Sequence, residues 1–259
     1  MSKWITILVC LITWPKWTSA GLDVTIYGDD AYPPYSYVES GRLTGIYTVI
    51  LESAFERMPN FNVTLAGIPW QQGLADIERG NLFALYPPYK RPDLRPFMEY
   101  DMPILEEHLV AVCTKSVLST PRPNWPEDYK GLTIGKNAGF ASGGPAFRQL
   151  VERGDISLLE TRGTAFSLLQ LLKGLTDCYI NDRLSIQWEL KQLAKERKYD
   201  GFSVVEATVI STEHGYLGFA TDQAHFPFKA AFKGQFYDVL ADMKAKGEIE
   251  QIVRDFLQN

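Results

Sequence analysis

Short runs of β-type residues alternate with amphipathic helical stretches along nearly the whole chain, and this alternation sets the tightest limit on its fold. "VTIYG" (24–28) reads as a strand ending in a turn, and "TGIYTVILESAFERM" (44–58) places Ile46, Val49, Ile50, Ala54, Phe55 and Met58 on one helical face. "NVTLAGI", "WQQGLADIERG" and "LFALY" (82–86) continue as strand, helix and strand. A βαβαβ order predicts a parallel sheet with helices on its faces. The theme then returns. "HLVAVC" (108–113) and "LTIGK" (132–136) read as strands around a proline-rich loop, followed by a helix at "AFRQLVERG", the strand "SLLET", the helix "TAFSLLQLLKG", the strand "CYIND" and the helix "LSIQWELKQLAKE". Two further helices close the chain, with Phe236, Val239, Leu240 and Met243 on one and Ile249, Ile252, Val253 and Phe256 on the other. The expected class is α/β, with two lobes of similar build and a cleft between them at the strand C-terminal ends.

The first twenty residues stand outside this pattern. Lys3 precedes the apolar run "WITILVCLIT", and "TSA" ending at Ala20 offers the small residues that a signal peptidase accepts. The run stops at Pro15-Lys16, short of the ~20 apolar residues a membrane-spanning helix needs. Cys10 follows Val9, where a lipid-attachment site would want a small residue, so the segment reads as a cleavable signal peptide of a periplasmic protein. Cleavage would remove Lys3 and Lys16 and take the net charge from −5 to −7. With no basic run and no basic-aromatic stripe, nucleic acid is excluded as a partner. Cys113 and Cys178 would remain, in a compartment that permits a disulfide. A bridge between them and two buried thiols are both open readings. The histidines, His108, His214 and His225, are scattered, and no metal or cofactor motif is present.

The residues suited to ligand chemistry fall at predicted strand ends. "YPPYKRPDLRPFMEYDMPI" (86–104) packs prolines, tyrosines and arginines into one connection, a stiff wall fit to meet a charged group. "GDDAYPPY" (28–35) carries Asp30 and Tyr32. "GFASGG" carries Phe140 and Ser142 ahead of a helix, where free backbone N–H groups favour an anion. "INDR" carries Asp182. A guanidinium can pair with a carboxylate through two parallel hydrogen bonds, which makes Arg95 or Arg91 a candidate anchor.

In order and spacing these pieces resemble the extracellular solute-binding proteins of family 3, the polar amino-acid receptors of ABC transporters. "WPEDYKGLTIGKNAG" is similar to the family's link into its second lobe, "LLKGLTDCYIND" to its Gly-x-x-Asp strand, and "LADMKAKGEIEQIVRDF" to its terminal helix pair. The resemblance spans the mature chain. It implies a type II periplasmic-binding-protein fold, with lobe 1 from 21–107 and 214–259, lobe 2 from 108–213, and two crossing strands between them. It implies that Arg95 grips a ligand α-carboxylate, although "RPFMEYDMP" has one residue fewer between Arg and aromatic than the family element, which keeps Arg91 in contention. It implies that Asp182 receives the α-ammonium, that Tyr32 covers the ligand, and that Asp30 reads its side chain. Tyr86 and Tyr89 stand where many relatives carry small hydroxyl residues, so the usual basic or amide ligands are in doubt.

The expected function is a monomeric, non-catalytic receptor that delivers an amino acid or related small carboxylate to a membrane permease or sensor domain. The alternative is an enzyme on the same scaffold resembling cyclohexadienyl dehydratase, with Glu160, Arg162 and Asp182 lining its site. No Ser-His-Asp or Cys-His arrangement supports nucleophilic catalysis.

Overall fold

The computed structural model describes residues 21–199, 203–222 and 224–258. The signal-peptide reading lies outside the described residues, among which no helix is long and apolar enough to cross a membrane.

Chain order gives β1 (Leu22–Asp29), β2 (Ala31–Tyr32), β3 (Ser36–Glu39), β4 (Arg42–Thr44), α1 (Ile46–Phe55), β5 (Phe61–Ile68), α2 (Trp70–Glu78), β6 (Ala84–Tyr86), β7 (Met98–Glu99) and β8 (Pro103–Thr114). There follow β9 (Thr133–Asn137), α3 (Gly144–Glu152), β10 (Ser157–Thr161), α4 (Thr164–Leu172), β11 (Cys178–Asp182), α5 (Arg183–Lys195), β12 (Val204–Tyr216), β13 (Gly218–Ala220), α6 (Lys229–Ala245) and α7 (Glu248–Gln258).

Two five-stranded sheets organise the chain. The first runs β5-β1-β6-β13-β7, and the second β10-β9-β11-β8-β12. In the first, β1 pairs in parallel with β5 and β6, as the βαβαβ pattern predicts, and β13 and β7 add an antiparallel side. The chain enters the second sheet along β8 and returns along β12. These two long strands pair antiparallel from Pro103–Tyr216 to Thr114–Val204 and are the crossing connection between the lobes. This is the two-lobed α/β architecture the sequence implied.

Each sheet needs apolar cover. Around the first, α1 is buried on nearly every side, because it lies against β5, α6 and α7 at once. Phe55, Phe61, Phe83, Phe219, Phe232 and Phe236 fill the space there with ring-on-ring contacts. The second sheet is covered on both faces, which explains why residues 109–113 of β8 read as an unbroken apolar run. Ala111 and Cys113 face Ile134, Phe147 and Leu150, whereas Val110 and Val112 face Leu168, Leu171 and Ile186. Cys113 and Cys178, register partners on β8 and β11, form a disulfide with Cα atoms 4.0 Å apart. Of the two open readings, the structure selects the bridge.

The stretch Ala31–Thr44 forms a small three-stranded meander, β2-β3-β4, with a turn at Ser40-Gly41, and leads through Gly45 into α1. Gly45 has φ 119°, and a Cβ there would sit 2.4 Å from the Tyr35 carbonyl oxygen. Only glycine accepts both conditions.

Candidate functional site

Strand ends deliver the site. Asp29 closes β1, Tyr32 follows in β2, and Trp70 opens α2 just past β5. Pro87 and Tyr89 follow β6, Arg95 lies in the connection to β7, and Phe140, Ala141 and Ser142 precede α3 in the other lobe. Together these nine residues line a small pocket between the lobes. Its walls are largely aromatic. Phe140 meets Tyr32 edge-on at 5.1 Å and Trp70 at 5.9 Å, so one ring from lobe 2 closes over two from lobe 1.

Of the two arginines, Arg95 is the buried one, 5% exposed. Its Nη2 donates to the Gly139 carbonyl at 3.0 Å, and its guanidinium stacks 5.4 Å from the Trp70 ring centre. Among the described residues no carboxylate forms an ion pair with it. Burial pulls its pKa below the ordinary value, against an opposing contribution from Tyr100. Arg91 is instead committed to protein partners, with Nη2 2.7 Å from Glu213 and Nε donating to the Ala141 carbonyl at 3.1 Å. In the same pocket as Arg95, the Ser142 hydroxyl is buried with no hydrogen-bond partner among the described residues. A buried cation without a counter-charge and a buried hydroxyl without a hydrogen bond are costly unless something else completes them.

The sequence-predicted residues divide into three groups. Tyr32, Tyr89, Arg95, Phe140 and Ser142 come together in the pocket. Asp30 lines a neighbouring cavity with Asn137 and Arg162, where its Oδ2 pairs with Arg162 at 2.5 Å and its Oδ1 is buried without a hydrogen-bond partner among the described residues. Tyr86 and Asp182 lie in neither. Tyr86 turns into the lobe 1 core, its ring end against Gly28 and its hydroxyl 3.1 Å from Thr48. Asp182 caps α5 through the Ser185 amide at 3.0 Å, accepts the His108 amide at 2.9 Å, and accepts the Tyr35 hydroxyl of the opposite lobe at 3.0 Å. Burial raises its pKa above the usual carboxylate value, opposed by those hydrogen bonds. Glu160, proposed for the enzyme alternative, pairs with Lys136 at 3.0 Å outside the pocket.

Two acidic residues escaped the sequence reading. Asp29 lines both cavities, accepts the Ala31 amide at 2.9 Å, and is pushed up to about 7 chiefly by burial. Glu107, in the middle of β8, accepts hydroxyl hydrogen bonds from Tyr32, Tyr47 and Tyr89 at 2.5, 2.5 and 2.7 Å. The sequence did hold one signal for it. If the strand at "HLVAVC" extends back to Pro103, one of the adjacent Glu106 and Glu107 has to face inward. Among the described residues no group of three His, Cys, Asp or Glu side chains is placed to hold a metal ion.

No family profile and no curated protein matches this sequence. Solved structures do. The chain is similar to the glutathione-import protein GshT of Streptococcus mutans, with TM-score 0.75 and 16% identity over 93% of this chain and 96% of that one. It is similar to a histidine kinase sensor domain that itself resembles periplasmic binding proteins, at 0.74 and 17% over 92% and 96%. It is also similar to the arginine-, lysine- and histidine-binding protein ArtJ of Geobacillus stearothermophilus, at 0.69 and 17% over 92% and 96%. These likenesses span the chain and show that it has the type II periplasmic-binding-protein fold.

Proposed function

We propose that this protein is a solute-binding receptor of the family 3 type, which takes an amino acid or related small carboxylate between its lobes. The observation that carries this reading is Arg95, a buried guanidinium lining an interlobe pocket with no carboxylate partner among the described residues. A ligand carboxylate would supply the missing charge through a bidentate pair, and the Ser142 hydroxyl at the approach to α3 would donate a further bond. Asp182 can serve as the ammonium acceptor only if the ligand displaces Tyr35 from it, so Asp29 joins it as a candidate for that end.

Closure is the signal such a receptor sends. A ligand that contacts Arg95 from lobe 1 and Ser142 from lobe 2 prefers the closed form and shifts the population towards it. Among proteins of this fold, GshT serves glutathione import and another is a kinase sensor domain, so a permease and a sensor are both fitting readers of the closed state. The Cys113–Cys178 disulfide supports an extracytoplasmic location, since such bridges persist in oxidising compartments.

Thermal melting of the chain from Gly21 onward, against the common L-amino acids and small carboxylates, tests the reading. A true ligand at a hundredfold excess over Kd stabilises by ~2.7 kcal/mol. The expected result is a raised melting temperature for at least one such compound in the wild type and no shift in Arg95→Ala. A panel that leaves the wild type unmoved, or a shift that survives Arg95→Ala, overturns it.

A further inference from the structure

Glu107 lies where β8 crosses between the lobes, 1% exposed, with three tyrosines converging on its carboxyl group. Tyr32 and Tyr89 both donate to Oε2, while Tyr47 donates to Oε1. The fold makes room for this. Gly215 on β12 forms a bridge with Tyr89, and a Cβ there would lie 1.8 Å from the Tyr47 hydroxyl and 2.8 Å from Glu107 Oε1.

The direction of these hydrogen bonds has a chemical consequence. A carboxylate can only accept, so each phenol must give Glu107 its single proton. Even a protonated Glu107 has one proton to offer. Placed on Oε1 it turns Tyr47 into an acceptor and leaves Tyr32 and Tyr89 donating to Oε2; placed on Oε2 it turns one of Tyr32 and Tyr89 into an acceptor, whose own proton can go to the other's oxygen 3.3 Å away. A phenol that has committed its proton offers a newcomer lone pairs alone. Tyr32 and Tyr89, their hydroxyls 3.3 Å apart, also line the pocket that holds Arg95. Any ligand group that reaches these hydroxyls must therefore bring the proton itself. A cation does this best, because hydrogen bonds with one charged partner are the stronger ones and the rings around the pocket also favour positive charge.

We propose that Glu107 is a positioning residue for ligand selection: by holding the hydroxyl protons of Tyr32 and Tyr89 it makes both phenols acceptors, so that the pocket selects carboxylates that also carry a protonated amine. The proposal rests on the receptor reading above and adds what recognises the second charge. It also accounts for a pocket that can take a zwitterion while Asp182 keeps its protein partners.

Glu107→Leu removes the acceptor at similar size and frees the protons of Tyr32 and Tyr89, whereas Glu107→Gln can keep them committed by turning its carbonyl towards Tyr32 and Tyr89 and its amide towards Tyr47. Calorimetric titration of wild type and variants with L-phenylalanine against 3-phenylpropionate, L-leucine against 4-methylpentanoate, and L-arginine against 5-guanidinopentanoate reads the effect as an affinity ratio. Wild type is expected to favour at least one amino acid over its des-amino partner by tenfold or more. Glu107→Leu is expected to lose that preference while binding the des-amino compound within about threefold of wild type, a split that general loosening of the fold would not produce, and Glu107→Gln is expected to keep it. Should Glu107→Leu fail to fold, Tyr89→Phe removes one acceptor oxygen, keeps the ring, and is expected to lose the same preference. Equal wild-type affinity for both members of every pair that binds, with binding still dependent on Arg95, overturns this proposal and leaves the receptor reading standing. So does a preference that survives Glu107→Leu. If none of the six binds, the same titration is made with the amino acid that raises the melting temperature and its des-amino partner, and a wild type that no compound of the melting panel stabilises overturns both.

Discussion

The Tyr47 hydroxyl reaches Glu107 past the backbone of Gly215, and the absence of a side chain at that one position lets a helix of lobe 1 touch the crossing strands. Gly215→Ala would place a methyl group inside Tyr47 and displace it from Glu107. We expect a loss of about 1–3 kcal/mol, the usual cost of overpacking a filled interior, seen as a lower midpoint in urea with an unchanged slope. A variant as stable as wild type would mean that Tyr47 and Glu107 do not meet in this way. Single positions also mark where the sequence could and could not be read. Tyr32, Tyr89 and Arg95 announced themselves as aromatics and a guanidinium at predicted strand ends, where interlobe clefts form. Tyr86 carried the same mark three residues before Tyr89. Its ring instead fills the space that Gly28 leaves open in the core, a packing relation between strands that no spacing reveals. Glu107 was hidden because two adjacent glutamates read as the polar edge of a strand, whereas β8 begins earlier and makes one of them interior.

At the scale of elements, the strands and helices buried on two sides were legible because their apolar runs are long. The β2-β3-β4 meander was not, since strands of two to four residues among prolines and glycines carry no period to detect. Strand register was equally invisible, and register decides the disulfide. Once β11 pairs antiparallel with β8, Cys178 stands directly opposite Cys113 and the bridge closes over 65 residues of chain. A loop of that length loses enough unfolded-state entropy to stabilise the fold by about 4 kcal/mol in the chain-entropy account. Replacing both cysteines with alanine, or adding reductant, is expected to lower the melting temperature by roughly 8–16 °C at 2–4 °C per kcal/mol for a domain of this size. An unchanged melt after verified reduction would show that the second sheet draws little stability from the link.

For the whole molecule, closure decides how it answers to pH. The lobes meet through Tyr35 on Asp182, Ser185 on the Pro33 carbonyl, Trp70 on the Gly139 carbonyl, and the ion pair between Asp30 and Arg162. These contacts seal acidic groups away from water. Asp29 is pushed up to about 7 and Glu107 to about 8, in both cases chiefly by burial, and Asp182 is raised for the same reason. A carboxyl whose pKa is raised in the native state keeps its proton at a pH where the solvated group has lost it. Native protein then binds more protons than unfolded protein, and stability falls as pH rises from about 4 to about 8. The melting temperature of wild type is expected to drop from pH 5 to pH 8, and Glu107→Gln, with nothing to ionise at that position, is expected to show a shallower slope. The same linkage acts on opening, because parting the lobes uncovers Asp29, which lines the interlobe pocket with Phe140. Acidification should therefore favour the closed form. Small-angle scattering of the ligand-free protein is expected to give a smaller radius of gyration at pH 6 than at pH 8, with the difference reduced in Asp29→Asn. A radius that stays constant or grows on acidification would show that these carboxyls are as well solvated with the lobes together as apart, and that closure is set by the interlobe hydrogen bonds alone.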